Sequence, residues 1–196
     1  MSLTLLEESP LAPPSDLGPY RASDYAALPD EPRCELISGR FYVTPSPTYT
    51  HQATVAELVP RFERAATAAG GKVVFAPMDV TLADHSVVQP DLIYISPERR
   101  HILAERIQGA PDLLVEVLSP GTTRRDRGEK LDLYARSGVR EYWIVDCVAR
   151  QIEFLILRDG QFVVHVPSGG VFRSQALPGL DLDLADFWAA LERRLA

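Results

Sequence analysis

A chain of 196 residues has the size of one ordinary domain, large enough to bury a core without disulfides or structural metals. Hydrophobic residues at 46% and charged residues at 24% exclude a disordered or fibrous protein. The formal net charge of -7 argues against tight non-specific binding to a polyanion, so any contact with nucleic acid must rest on a local basic patch.

Residues 1 to about 19 are rich in Pro, Ser and acidic residues without a period, which predicts a loosely held arm ahead of a single domain over 20–196. No basic segment leads into an apolar run there, and no stretch approaches the roughly 18 apolar residues of a membrane span. The expectation is a cytoplasmic protein with no membrane partner. Ser23 and Asp24 are set to cap a short helix through Leu28. Cys34 to Ile37 and Arg40 to Val43 read as strands joined at Ser38-Gly39. Tyr49 to Ala69 carries apolar residues at helical spacing and ends at Gly70-Gly71. Strands are predicted over Lys72 to Ala76, Asp79 to Leu82 and Val87 to Ser96, then a connection over Pro97 to Ala110 with one helical turn, and a buried strand over Leu113 to Leu118. Thr122 or Thr123 caps a second long helix through Ser137, stopped by Gly138. Glu141 to Val145 is a further strand, Gln151 to Leu157 and Gln161 to Val166 a hairpin about Asp159-Gly160, Val171 to Arg173 a short strand, and Asp186 to Leu195 an amphipathic helix. This order gives an α/β domain built on a mixed central sheet flanked by helices, with an added β-hairpin and a C-terminal helix. Cys34 and Cys147 belong to no CxxC pair or Cys/His cluster and are expected as free thiols.

Glu116 stands inside the apolar run Leu113-Leu114-Val115-Glu116-Val117-Leu118, where an unpaired charge would cost several kcal/mol or be forced to protonate. Either the strand end reaches the surface or an arginine satisfies it, or it serves a site. Asp91 sits in a similar apolar strand, and two such carboxylates on neighbouring strands would aim at one point. Hard oxygens of that kind suit Mg²⁺ or Mn²⁺, with the Val117 carbonyl as a further ligand and waters completing an octahedron. On the helix after Glu116, i, i+4 spacing puts Asp126, Lys130 and Tyr134 on one face. Lys130 there is either a solvated surface lysine or a cation that faces the carboxylates and stabilises charge on a phosphate. Tyr134 either orients Lys130 or packs as an ordinary amphipathic tyrosine. Arg124, Arg125 and Arg127 gather positive charge in one segment, as a solvated helix start or as donors to a nucleic-acid backbone.

Pro90-Asp91, Glu116-Val117-Leu118-Ser119-Pro120, Asp126-Arg127, Lys130-Leu131, Tyr134, Gly138 and Glu141-Tyr142-Trp143-Ile144-Val145-Asp146, in this order, resemble the Uma2 family of endonucleases, within the PD-(D/E)xK nuclease superfamily. Cys34-Glu35-Leu36-Ile37-Ser38-Gly39 and His51-Gln52 extend the resemblance over roughly residues 20 to 160. It implies a restriction-endonuclease-like core with Asp91 and Glu116 as metal ligands. Where the wider superfamily has its lysine, two residues after the glutamate, this chain has Leu118, and the resemblance assigns that role to Lys130. Glu35 matches an acidic position that would add a ligand or orient a water, against a plain hairpin surface residue. His51 is a phosphate contact, a proton carrier or a helix-capping residue.

The leading expectation is a Mg²⁺-dependent endonuclease, with Mn²⁺ as an alternative ion, hydrolysing phosphodiester bonds in DNA and acting as a homodimer that presents two sites to a duplex. The competing expectations are an inactive nuclease-fold binding or assembly protein, favoured by the net charge and the missing strand lysine, and a metal-dependent hydrolase of another substrate.

Overall fold

The computed structural model describes residues 17–29, 31–119 and 121–196. Most of the expected arm lies outside the described residues. At its end, the Gly18 N–H donates to the Ser38 carbonyl at 2.8 Å, and a Cβ on Gly18 would meet the Gly39 oxygen at 2.2 Å, so glycine lets the chain lie on the first hairpin turn. That turn, Ser38-Gly39, takes φ of 48° and 77°, the left-handed pair a two-residue hairpin requires.

Helix α1 (Ala22–Ala26) lies earlier in the chain than predicted: its N-cap is Arg21, whose N–H is bonded by the Asp24 side chain at 2.8 Å, and it ends before Leu28. The hairpin β1 (Cys34–Ile37) and β2 (Arg40–Val43) follows, then α2 (Tyr49–Ala69), capped by Thr48 and closed by Gly70 at φ 75°. Next come β3 (Lys72–Phe75), β4 (Val80–Ala83), β5 (Ser86–Val88) and β6 (Leu92–Ile95). The run from Val87 to Ser96, expected as one strand, is therefore two. Pro90 has no N–H for a ladder, and across Gln89-Pro90-Asp91 the chain passes from one sheet to another. The connection after β6 holds a 3-10 turn, Pro97–Ile102, and an unforeseen short strand, β7 (Ile107–Gln108).

Beyond β8 (Leu113–Val117), the predicted long helix is also two, α3 (Thr123–Asp126) and α4 (Glu129–Ser137). Gly128 takes non-helical angles, φ -126° and ψ -96°, and a Cβ there would stand 2.9 Å from the Arg124 carbonyl oxygen. β9 (Glu141–Asp146), β10 (Gln151–Arg158) and β11 (Gln161–Val164) complete the main sheet; β12 (Val171–Arg173) pairs with β13 (Asp181–Asp183), a strand the sequence did not reveal, and α5 (Leu184–Leu195) ends the chain. Asp183 caps α5 by accepting from the Asp186 N–H.

One sheet runs β2-β1-β5-β4-β7 and the larger one β11-β10-β9-β8-β6-β3. The larger sheet is mixed: β8 and β9 are parallel, joined through α3 and α4, and its other pairs are antiparallel. Side chains alternate across it, so it has a core on each face. Val115, Val117, Trp143 and Phe154 pack with Leu58 and Phe62 of α2 and Phe187 of α5. On the other face Ile93, Leu114, Tyr142 and Ile144 pack with Leu133 and Tyr134 of α4 and with Ile37, Val80 and Val88 of the smaller sheet. Among the described residues no helix is long and apolar enough to cross a membrane.

Candidate active site

Alternation along β8 decides where Glu116 points. Leu114 faces the α4 core, so Glu116, two residues on, emerges on the same face. β6 runs antiparallel to β8 with Leu92 opposite Val115 and Ile93 opposite Leu114. The same register continued by one residue sets Asp91 across from Glu116. Asp91 thus reaches the site because Pro90 has ended β5 and β6 has not yet begun. Glu35 arrives from β1 in the smaller sheet, and Asp126, Lys130 and Tyr134 arrive from α3 and α4.

Glu116 is 5% exposed and Lys130 3%. The Lys130 ammonium donates to Glu116 Oε1 at 2.8 Å and lies 2.9 Å from Glu35 Oε1 and 3.6 Å from Asp126 Oδ1. Tyr134 donates its hydroxyl to the same Glu116 oxygen at 2.7 Å, so it orients the carboxylate and not the lysine. Glu35 Oε1 also accepts the Gln89 N–H at 2.8 Å. Asp91 forms the neighbouring wall: its Oδ2 accepts the Val117 N–H at 2.7 Å and lies 3.0 Å from His51 Nε2. Since the N–H and C=O of a strand residue project to the same edge, the Val117 carbonyl lies on the Asp91 side. Glu35, His51, Asp91, Glu116, Val117 and Lys130 all line one cleft with a cavity volume of about 120 Å³, rimmed by Pro45, Pro47 and Pro77.

Three carboxylates, of Glu35, Glu116 and Asp126, here face one ammonium, with Asp91 a fourth in the same cleft wall. Burial works against a charged Lys130, but Glu116, Glu35 and Asp126 outweigh it and hold the ammonium well above the usual lysine range. For Glu116, burial pushes the carboxyl well up; Lys130 opposes this, while Asp126, Asp91 and Glu35 add to it. Burial likewise raises Asp126, against the pull of Lys130. The remaining oxygens, Asp91 Oδ1 and Glu116 Oε2, have no hydrogen-bond partner among the described residues. No three His, Cys, Asp or Glu side chains among those residues converge as a ready-made metal cage. The donor set is instead a pair of carboxylates beside a carbonyl, the sparse, water-completed arrangement in which Mg²⁺ is usually held.

Compared with known proteins, residues 22–185 match the model of the Uma2 family, described as "Putative restriction endonuclease". The chain belongs to the Uma2 family. Every residue of the cleft lies within that match. Among solved structures, it is similar to one described as a putative nuclease belonging to DUF820 from Anabaena variabilis ATCC 29413, at 20% identity and a TM-score of 0.76, covering 88% of this chain and 99% of that one. That likeness shows a shared fold, the restriction-endonuclease-like α/β architecture. No curated protein matches the chain.

In this Uma2 chain, Leu118 packs against the α4-side core and the nearby ammonium comes from Lys130 on α4. The three arginines separate. The Arg125 guanidinium lies 4.4 Å over the Tyr42 ring and 3.8 Å from Glu35 Oε2. Arg127 is bonded to Glu153 and paired with Asp146. Arg124 is exposed. Tyr142 and Trp143 are core residues with no exposure. The sequence placed Asp126 on one helix face with Lys130 and Tyr134 but gave it no role, and the structure adds it to the cluster, 3.6 Å from the Lys130 ammonium. Sequence reasoning missed the Gln89 N–H on Glu35, which depends on the pairing of β1 with β5 in the smaller sheet and has no local signature.

Proposed function

We propose that the chain is a metal-dependent endonuclease hydrolysing phosphodiester bonds in DNA, with its chemistry in the Asp91–Glu116–Lys130 cleft. The observation that carries this reading is the charge balance of the cleft: two carboxylate oxygens without protein partners among the described residues stand in a buried cluster where negative groups outnumber positive ones. A divalent cation would relieve that excess, and the hard oxygens of Asp91, Glu116 and the Val117 carbonyl would hold Mg²⁺, or Mn²⁺ in its place. When bound, such an ion supplies Lewis-acid polarisation of a phosphate and lowers the pKa of a coordinated water.

The chain's own groups supply the rest. Lys130 stays protonated between Glu116 and Glu35, a fixed donor for charge that builds on the phosphate. Tyr134 and Lys130 together fix one Glu116 oxygen, which turns the other towards the cleft. Glu35 anchors Lys130 from the smaller sheet. Arg124, exposed near the start of α3, would meet a backbone phosphate, a contact that needs no base readout.

Cleavage of supercoiled plasmid, single-stranded DNA and RNA by purified protein with Mg²⁺ or Mn²⁺, beside a Glu116→Ala control, tests this reading. DNA lost with the parent and not with the control is the expected result. RNA cleavage in place of DNA would change the substrate. Intact substrates throughout, with no metal binding by calorimetry, would overturn catalysis and leave a nuclease-fold binding protein.

A further inference from the structure

We infer that His51 is a positioning residue for Asp91, saturating one carboxylate oxygen so that the other is left for the metal ion. This rests on the metal-dependent reading above and deepens it, since it replaces the roles of phosphate contact and proton carrier that the sequence suggested for His51.

Two donors converge on Asp91 Oδ2: the Val117 N–H at 2.7 Å and His51 Nε2 at 3.0 Å. A carboxylate only accepts, so the proton of this hydrogen bond sits on Nε2, and that fixes the tautomer. In the neutral ring Nδ1 is then the acceptor nitrogen, but it is buried and has no hydrogen-bond partner among the described residues, so it turns no accessible lone pair to a water in the cleft. The imidazole therefore has one working contact, and that contact is Asp91. Its base is rigid: the His51 N–H is held by Thr48 Oγ1 at 3.2 Å in the capped first turn of α2. Both partners are largely shielded, with side chains 12% and 14% exposed, so water competes little for the bond. Because the second donor belongs to Val117, the residue after Glu116, the same pair of bonds sets Asp91 relative to Glu116. Hydrogen bonds of this kind behind a metal ligand govern how well it binds.

Mn²⁺ affinity measured by calorimetry on purified parent, His51→Gln and His51→Phe separates the possibilities, with a thermal melt and plasmid cleavage on each. The Gln carboxamide donates an N–H from near the Nε2 position but takes up no proton; Phe keeps the ring and donates nothing. The expected result is near-parental affinity and cleavage for His51→Gln and a loss of about 10- to 100-fold in affinity for His51→Phe. His51→Leu serves if the Phe variant does not fold. Parental affinity in the variant without a donor would overturn positioning. So would a His51→Gln variant that keeps the ion and loses cleavage, the signature of a proton carrier. A parent that binds no Mn²⁺ would remove the metal reading itself, and the positioning role with it, a result visible before any variant is made.

Discussion

Asp112 just before β8 and Glu141 at the start of β9 are both 0% exposed, as buried as any carboxylate of the cleft at the other end of those strands. Their surroundings differ. Asp112 accepts the Ser96 N–H at 2.7 Å and pairs with Arg140 at 2.9 Å and Arg99 at 3.5 Å. Glu141 accepts the Gln175 and Ala176 N–H groups at 2.8 and 2.9 Å and the Trp143 indole N–H at 2.6 Å. Each oxygen has a hydrogen-bond donor or an arginine at ion-pair distance, and Asp112 Oδ1 meets its arginines by charge alone. At the far end, Glu116 and Asp91 each spend both their donors on one oxygen and keep the other for the cleft. Burial alone does not set the two ends apart; the difference is whether a carboxylate turns an oxygen to the cleft.

The strongest way to break this comparison is to remove the one ammonium of the cleft. Lys130→Met leaves Glu35, Glu116 and Asp126 without their shared cation, and breaking a buried pair in this way costs about 3–5 kcal/mol. Urea unfolding measures it. A loss below about 1 kcal/mol would mean that the cluster is far more solvated than its burial implies.

A matched pair of substitutions comes next in size. In Glu141→Gln the single amide oxygen can face either the Gln175 and Ala176 N–H groups or the Trp143 indole, and the NH₂ opposes the other. At least one buried donor is left unsatisfied, at about 1–3 kcal/mol. In Glu116→Gln the amide oxygen still accepts from Lys130 and Tyr134 while one negative charge leaves a negative cluster, so stability holds or rises. Cleavage should show the opposite order, lost in Glu116→Gln and retained in the folded fraction of Glu141→Gln. Equal destabilisation by the two would erase the distinction between the ends.

Much of this was readable in the sequence wherever a local rule acted alone. Gly70 and Gly138 end helices in the left-handed conformation, at φ 75° and 79°, as their positions after apolar-periodic runs predicted. Glu116 was legible because charge in an apolar run is expensive, whereas Lys130, on a helix where a solvated lysine is ordinary, stood out only beside Asp91 and Glu116 and through the family resemblance. The two breaks were not. The continuous β-rich composition around Pro90 hid the passage between sheets, and the steric crowding at Gly128 depends on the geometry of the turn before it. Nor could Glu141 be told from Glu116, because its partners come from residues 175 and 176, more than 30 positions away, and satisfaction by distant N–H groups leaves no periodic trace.

A smaller effect sharpens the same contrast through pH. Burial raises the Glu141 carboxyl above its ordinary 4.5, against the hydrogen bonds from Ala176, Trp143 and Gln175. Above the unfolded value the folded state therefore holds this proton longer than the unfolded chain does, and stability contributed at this position declines as pH rises through that window. The stability gap between parent and Glu141→Gln should narrow from pH 4 upwards. A gap that widens would show that the three N–H donors, and not burial, dominate Glu141.

The smallest expected effect separates the arginines beside the cleft. Arg125 and Arg127 spend their charge inside the molecule, on Tyr42 and Glu35 and on Glu153 and Asp146, so removing either disturbs packing as well as charge. Arg124 is exposed, and its truncation should change stability by no more than about 0.5 kcal/mol. If it meets a phosphate, Arg124→Ala should lower the slope of log affinity against log salt by about one, uniformly across DNA sequences, when measured with a catalytically silent Glu116→Gln background. An unchanged slope would move the DNA path off α3. In a chain with net charge -7, the phosphate contacts must then come from elsewhere on the rim, where Arg33, hydrogen-bonded to the neutral Gln89 amide and not to a carboxylate, lines the cavity.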